Sequence, residues 1–88
     1  MSEKNILYIL QSLSHKDKFY VGITNRENER IDEHNRGQTI STKKYRPWKV
    51  IYTEEFENKS ESMKREKYLK SINGYKERLE IIEKNKTK

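Results

Sequence analysis

With 88 residues, the chain has room for one small domain and one core, and none for a second module. Its 39% charged and 31% apolar content would suit a disordered chain if the apolar residues were scattered. They instead collect around residues 6–10, 19–23, 48–56 and 63–82, the clustering that a small sheet and its covering helices require. Twenty Lys and Arg against fourteen Asp and Glu leave a formal charge of +6, which favours a polyanionic partner, nucleic acid first among them. No stretch has the apolar length of a membrane span or a signal peptide, so the expected location is the cytoplasm. The absence of Cys excludes disulfides, thiolate zinc sites and a cysteine nucleophile.

In chain order, residues 6–11 and 19–23 are β-rich runs around a polar loop, the pattern of an antiparallel hairpin that sets Tyr8 and Tyr20 on neighbouring strands. Cap-type side chains at residues 24–28 precede a short helix that stops before Gly37. Ile31 is its apolar residue, so this helix is expected to be held partly through its polar face. Residues 38–47 read as a basic loop, with Pro47 arguing against helix and Lys43, Lys44 and Arg46 available to a phosphate backbone. A third strand is expected over residues 48–53. Asn58 with Glu61 three residues on then resembles a capping box, opening a helix whose apolar side is Met63, Leu69 and Ile72. A break at Asn73 and Gly74 precedes a last helix from Tyr75 to about Glu83, with Leu79, Ile81 and Ile82 making apolar contacts. Residues 84–88 are expected to be a frayed basic tail outside the domain of residues 1–83.

Glu66 falls angularly between Met63 and Leu69, where a carboxylate calls for an ion pair or a bound cation. The ordinary alternative is a solvated side chain between Arg65 and Lys67. Arg30 and His34 are four residues apart and share a helix face, so both can reach one phosphate, Arg holding an oxygen and His donating a proton. The alternatives are pairing of Arg30 with Glu27 or Glu33 and a cationic His34 at a helix C-terminus. Tyr8 and Tyr20 are either packing residues or phenols that take or hold the proton of an attacking water. His15 is expected to be exposed.

Taken together these residues resemble the GIY-YIG endonuclease superfamily, and in particular its small single-domain bacterial members of the YhbQ-like and Slx-like type. Ile6-Leu7-Tyr8 is similar to the first motif and Tyr20-Val21-Gly22 to the second, with eleven residues between the two tyrosines. Arg30 stands ten positions after Tyr20, where the family arginine stands, and residues 33–37 resemble the small members' Glu-His-Asn-x-Gly. Arg46-Pro47-Trp48 resembles their Arg-Pro-Trp lead into a strand, and residues 61–66 resemble the helix bearing the metal-binding glutamate. The resemblance implies an α+β fold with a central three-stranded antiparallel sheet flanked by helices. It further implies one Mg²⁺ or Mn²⁺ at Glu66 and hydrolysis of DNA phosphodiesters with Tyr8, Tyr20, Arg30, His34 and Glu66 as catalytic residues, Tyr8 and Tyr20 being joint candidates for the base. Two departures stand out. Ile6 replaces the first motif's glycine, and Ile23 stands where some relatives carry a lysine, for which Lys43 or Lys44 would substitute.

The expected function is therefore a metal-dependent DNA endonuclease, structure-selective and working in repair or recombination, with Lys43, Lys44, Arg46 and Lys64 on the DNA backbone. A protein partner would supply further specificity. One alternative is a basic nucleic-acid-binding module with weak or no turnover. Another is a protein-interaction module using Trp48, Tyr52 and Phe56 as an exposed patch.

Overall fold

The computed structural model describes residues 4–87. Strands β1 (Asn5–Ser12), β2 (Phe19–Thr24) and β3 (Trp48–Phe56) form one antiparallel sheet in the order β2-β1-β3. The helices are α1 (Glu27–Asn35), the short α2 (Ile40–Lys43), α3 (Lys59–Lys70) and α4 (Tyr75–Asn85). This is the α+β arrangement that the sequence implies.

β1 is the central strand and is buried on both faces from Leu7 to Ser12, which explains its unbroken apolar run. Alternation along the strand divides the core in two. Leu7 and Ile9 join Val21 against Leu69 of α3 and Ile82 of α4, while Tyr8 and Leu10 join Trp48 against Tyr20, Ile31, Tyr45 and Val50. Burying a side chain such as Leu69 is worth about 1.5–3 kcal/mol, and it is fully buried here. Trp48 is 5% exposed, and Tyr52 and Phe56 pack on the core, so these aromatics do not form the expected exposed patch.

α1 is fastened as its polarity requires. Its end is clasped to β3, where the Trp48 backbone N–H donates to Asn35 Oδ1 at 2.6 Å and Asn35 Nδ2 donates to the Trp48 carbonyl at 3.2 Å. Gly37, at φ 78°, makes the left-handed turn that ends the helix. The segment expected to be a loop instead contains α2, which is seated by buried Thr42. Asn58 caps α3 by accepting from the Glu61 N–H at 2.9 Å.

α3 turns a different face to the sheet from the one expected. Ser62 and Leu69 are buried, whereas Met63 is 50% and Ile72 95% exposed. The small Ser62 lets the helix approach and returns its hydroxyl to the Lys59 carbonyl at 2.8 Å. Glu66 and Arg65 lie on opposite flanks of the Ser62–Leu69 line, each roughly 40–60° away at 3.6 residues per turn. Arg65 reaches Glu54 of β3 through two bonds of 2.9 and 3.0 Å and also holds Glu77 of α4. These two carboxylates raise the Arg65 pKa and Arg65 in turn holds that of Glu77 down, so Arg65 is committed to them rather than to Glu66.

In α4, Ile82 is buried and Ile81 packs on the core, but Leu79 is 42% exposed. The helix runs to Asn85, past the expected end, and residues 84–87 are not frayed. Thr87 N and Oγ1 donate to Gln11 Oε1 at 2.8 and 2.9 Å, and Gln11 Nε2 donates to the Thr87 carbonyl at 3.0 Å. Gln11 is fully buried and its Nε2 also donates to the Lys16 carbonyl at 2.9 Å, so the bonds from Thr87 satisfy an amide oxygen that would otherwise be stranded. Truncation after Glu83 is expected to cost about 1–3 kcal/mol through the unpaired amide oxygen, read as a lower urea midpoint. An unchanged midpoint would show that the clasp contributes nothing to stability.

Candidate active site

Tyr8 and Tyr20 share the sheet face that α1 covers, because β1 pairs with β2 in the register Tyr8↔Gly22 and Leu10↔Tyr20. Gly22 makes room for the Tyr8 ring: a Cβ built on it would lie 2.5 Å from the Tyr8 oxygen. His34 projects from α1 into the same layer. Its ring centroid is 4.9 Å from that of Tyr20 and 5.8 Å from that of Tyr8.

His34 is fully buried and both its nitrogens are engaged. Nε2 lies 2.9 Å from the Tyr8 hydroxyl and Nδ1 lies 2.8 Å from Thr42 Oγ1. Burial first, then the nearby Arg30 charge, lowers the His34 pKa to about 4, so the ring is neutral at physiological pH. Burial likewise raises the Tyr8 phenol to about 12, against the lowering effect of the nearby Arg30 guanidinium. Neither the expected direct contact of His34 with phosphate nor its cationic form fits a buried ring with two partners. His34 instead bonds Tyr8 on one side and Thr42 on the other.

Arg30 is 29% exposed and Nη1 donates to Glu33 Oε1 at 2.8 Å, one of the pairings weighed from the sequence. This bond is the main cause of its raised pKa, and Arg30 in turn holds the Glu33 carboxyl below its ordinary value. The guanidinium borders a cleft formed with Ile23, Thr24, Asn25 and Arg26 on one side and Lys59 and Ser62 of α3 on the other. Ile23 also packs on the core, and the lysine facing that part of the cleft comes from position 59 rather than 43 or 44.

Glu66 is half-buried, with 26% of its side chain exposed, and Lys70 one turn later donates to its Oε2 at 3.2 Å. Lys70 Nζ also stands 5.6 Å from the Tyr20 ring centroid, which places this ion pair beside the tyrosine layer. A shallow groove along α3 continues past Glu66 between Lys59, Lys64, Lys67 and Lys70.

Tyr8, Tyr20, Arg30 and His34 thus come together, with Glu66 on the helix facing them. Lys64 lies in the groove of Glu66. Lys43, Lys44 and Arg46 are exposed on and after α2, away from the residues that line either depression. Lys44 and Lys18 stand 5.8 Å from the centroid of the Tyr45 ring, on whose edge the exposed His15 also rests. Sequence reasoning missed Lys59, Lys70 and Thr42. Lys70 had a readable signal, four residues beyond Glu66. Thr42 had none, since its partner lies in another helix.

No cluster of three or more His, Cys, Asp or Glu capable of enclosing a metal occurs among the described residues. No described helix is long and apolar enough to cross a membrane.

Residues 4–80 match the model of the GIY-YIG catalytic domain, a nuclease domain. The chain is 37% identical over 73 residues to the UPF0213 protein YazA of Bacillus subtilis strain 168, covering 82% of this chain and 74% of that protein. UPF0213 proteins of Staphylococcus aureus strains Mu3 and N315 are 41% identical over 58 residues, covering 65% of this chain and 71% of theirs. The tyrosine pair on adjoining strands, the arginine and histidine of the following helix and the glutamate of α3 lie within the matched span, and the chain is a small member of the GIY-YIG family.

Proposed function

We propose that the chain is a divalent-metal-dependent DNA endonuclease that selects its substrate by structure and works in the cytoplasm in repair or recombination. The carrying observation is the convergence of Tyr8, His34 and Arg30 opposite a partly exposed Glu66 in a family of nuclease domains.

The donor chemistry fits a hard cation. Glu66 is an accessible carboxylate held by one lysine, and both His34 nitrogens are committed, so the imidazole is not a ligand. A single carboxylate suits Mg²⁺ or Mn²⁺, which keeps waters and takes phosphate oxygens. When bound at Glu66, such an ion supplies a Lewis acid for the scissile phosphate.

The protein's own groups do the rest. Arg30 holds a non-bridging oxygen, and the bound phosphate offsets the guanidinium charge that depresses His34, so the imidazole becomes a better base as substrate arrives. Tyr8 takes a proton from the attacking water while passing its hydroxyl proton to His34 Nε2, which avoids a free phenolate from a phenol raised to about 12. The water oxygen forms the new P–O bond, the bond to the leaving oxygen breaks, and that oxygen is protonated from solvent. This favours Tyr8 over Tyr20 as the base, with Tyr20 walling the site beside Lys70. The α3 lysines track the backbone without reading bases, and a protein partner would add specificity.

On labelled duplex, flap and four-way-junction DNA with Mg²⁺ or Mn²⁺, Glu66→Ala and Arg30→Ala are each expected to lower cleavage by about 100-fold or more. EDTA should abolish it. Salt-sensitive binding without cleavage by the folded wild type would instead support the binding module. Replacing Lys59 and Lys67 with Gln should flatten the dependence of binding on salt more than the same change at Lys43 and Lys44; the reverse order would move the DNA track to α2.

His34 also makes stability depend on pH. Its folded pKa of about 4 lies below the unfolded value near 6.5, so the unfolded chain binds the extra proton between them. Its contribution is intact above about pH 6.5 and is lost as pH falls to about 4, a difference of about 3 kcal/mol. Urea unfolding at pH 7 and 4.5 should show this loss in the wild type and a smaller one in His34→Gln. Equal losses would mean that other groups govern acid stability.

A further inference from the structure

The donors and acceptors around His34 can be ordered without seeing a hydrogen. The Arg30 guanidinium lies near the Tyr8 hydroxyl, and an arginine can only donate, so it offers no acceptor for the Tyr8 proton. The other neighbour of that oxygen is His34 Nε2, at 2.9 Å. At the far side of the ring, Thr42 Oγ1 faces the Thr39 carbonyl at 3.4 Å, and a carbonyl can only accept. Both ends therefore push in one direction: Tyr8 O–H to Nε2, Nδ1–H to Thr42 Oγ1, and Thr42 O–H to the Thr39 carbonyl. The opposite order leaves the Tyr8 hydroxyl hydrogen in a buried layer with no acceptor among the described residues, which is the costlier arrangement.

Thr42 is held firmly enough to impose this order. It is fully buried, and its carbonyl accepts from Trp48 Nε1 at 2.8 Å. Asn35, next to His34, clasps the Trp48 backbone. His34, Asn35, Trp48 and Thr42 thus close a ring of bonds joining α1, β3 and α2.

We propose that Thr42 is a positioning residue that fixes His34 in the Nδ1–H tautomer, so that the lone pair of Nε2 faces Tyr8 and can receive its proton. The catalytic consequence rests on the proposed role of Tyr8; the tautomer itself does not. Without the Thr42 acceptor, the two tautomers become closer in energy and part of the protein presents an N–H to Tyr8.

The test is the imidazole ¹⁵N spectrum of the folded full chain, with His34 assigned by comparison with His15→Gln, for wild type, Thr42→Val and Thr42→Ser. The expected result is a protonated Nδ1 in wild type and Thr42→Ser, and a mixed or reversed tautomer in Thr42→Val. An Nε2–H tautomer in wild type overturns the proposal, and so does an unchanged Thr42→Val spectrum. Should Thr42→Val not fold, the wild-type tautomer and its retention in Thr42→Ser decide. In the cleavage assay, Thr42→Val should lower kcat by about 10-fold or more with KM little changed, and Thr42→Ser should restore it. A tautomer that switches with no change in kcat overturns the catalytic part alone. A wild type that never cleaves overturns the nuclease reading while leaving the tautomer result standing.

Discussion

A neutral imidazole with a hydroxyl at each nitrogen is the constraint around which one side of this molecule is built. Burying His34 removes its access to water, so each nitrogen needs a partner of fixed polarity within the protein. Tyr8 supplies one from the central strand and Thr42 the other from α2. Placing those two groups requires the β1–β2 register, the clasp of Asn35 on Trp48 and the approach of the segment before Pro47. The polar layer therefore organises elements that carry too few apolar residues to organise themselves. α1, with Ile31 as its apolar contact, is the clearest case.

The other face of the sheet follows more ordinary rules. Leu7, Ile9 and Val21 pack on Leu69 and Ile82, and the Arg65 clamp ties β3, α3 and α4 together at the margin. Because Arg65 and Glu66 flank the same buried line of α3, locking one in the clamp sets the rotation that offers the other to the α3 groove. A residue committed to ion pairs thereby governs the aim of the carboxylate beside it.

Features carried by local chemistry were legible in the sequence. The strands showed in their β-rich runs, the end of α1 in Gly37 and the cap of α3 in Asn58. The positions of Tyr8, Tyr20, Arg30, His34 and Glu66 stood out through spacing and resemblance to a family. What depends on distant partners did not. Met63 and Ile72 looked like core because helical periodicity cannot tell which of two flanks meets the sheet, and the small Ser62 decided it. The last residues looked frayed because their anchor, Gln11, lies 76 positions away in sequence. Thr42 looked like one more polar residue in a basic loop, and only the arrival of α1 makes it part of the site.

Gly22 gives the site a single point of failure that carries no charge. The Tyr8 oxygen occupies the space that any side chain at this position would need, and the ring is boxed in by Tyr20 and His34. One added methyl group would have to turn the phenol out of line with the imidazole, while every lysine of the α3 groove and the Glu66 carboxylate kept its place. The positive charge of the α3 groove and the alignment of Tyr8 with His34 are therefore separable in this fold, and a lineage could lose the second without disturbing the first.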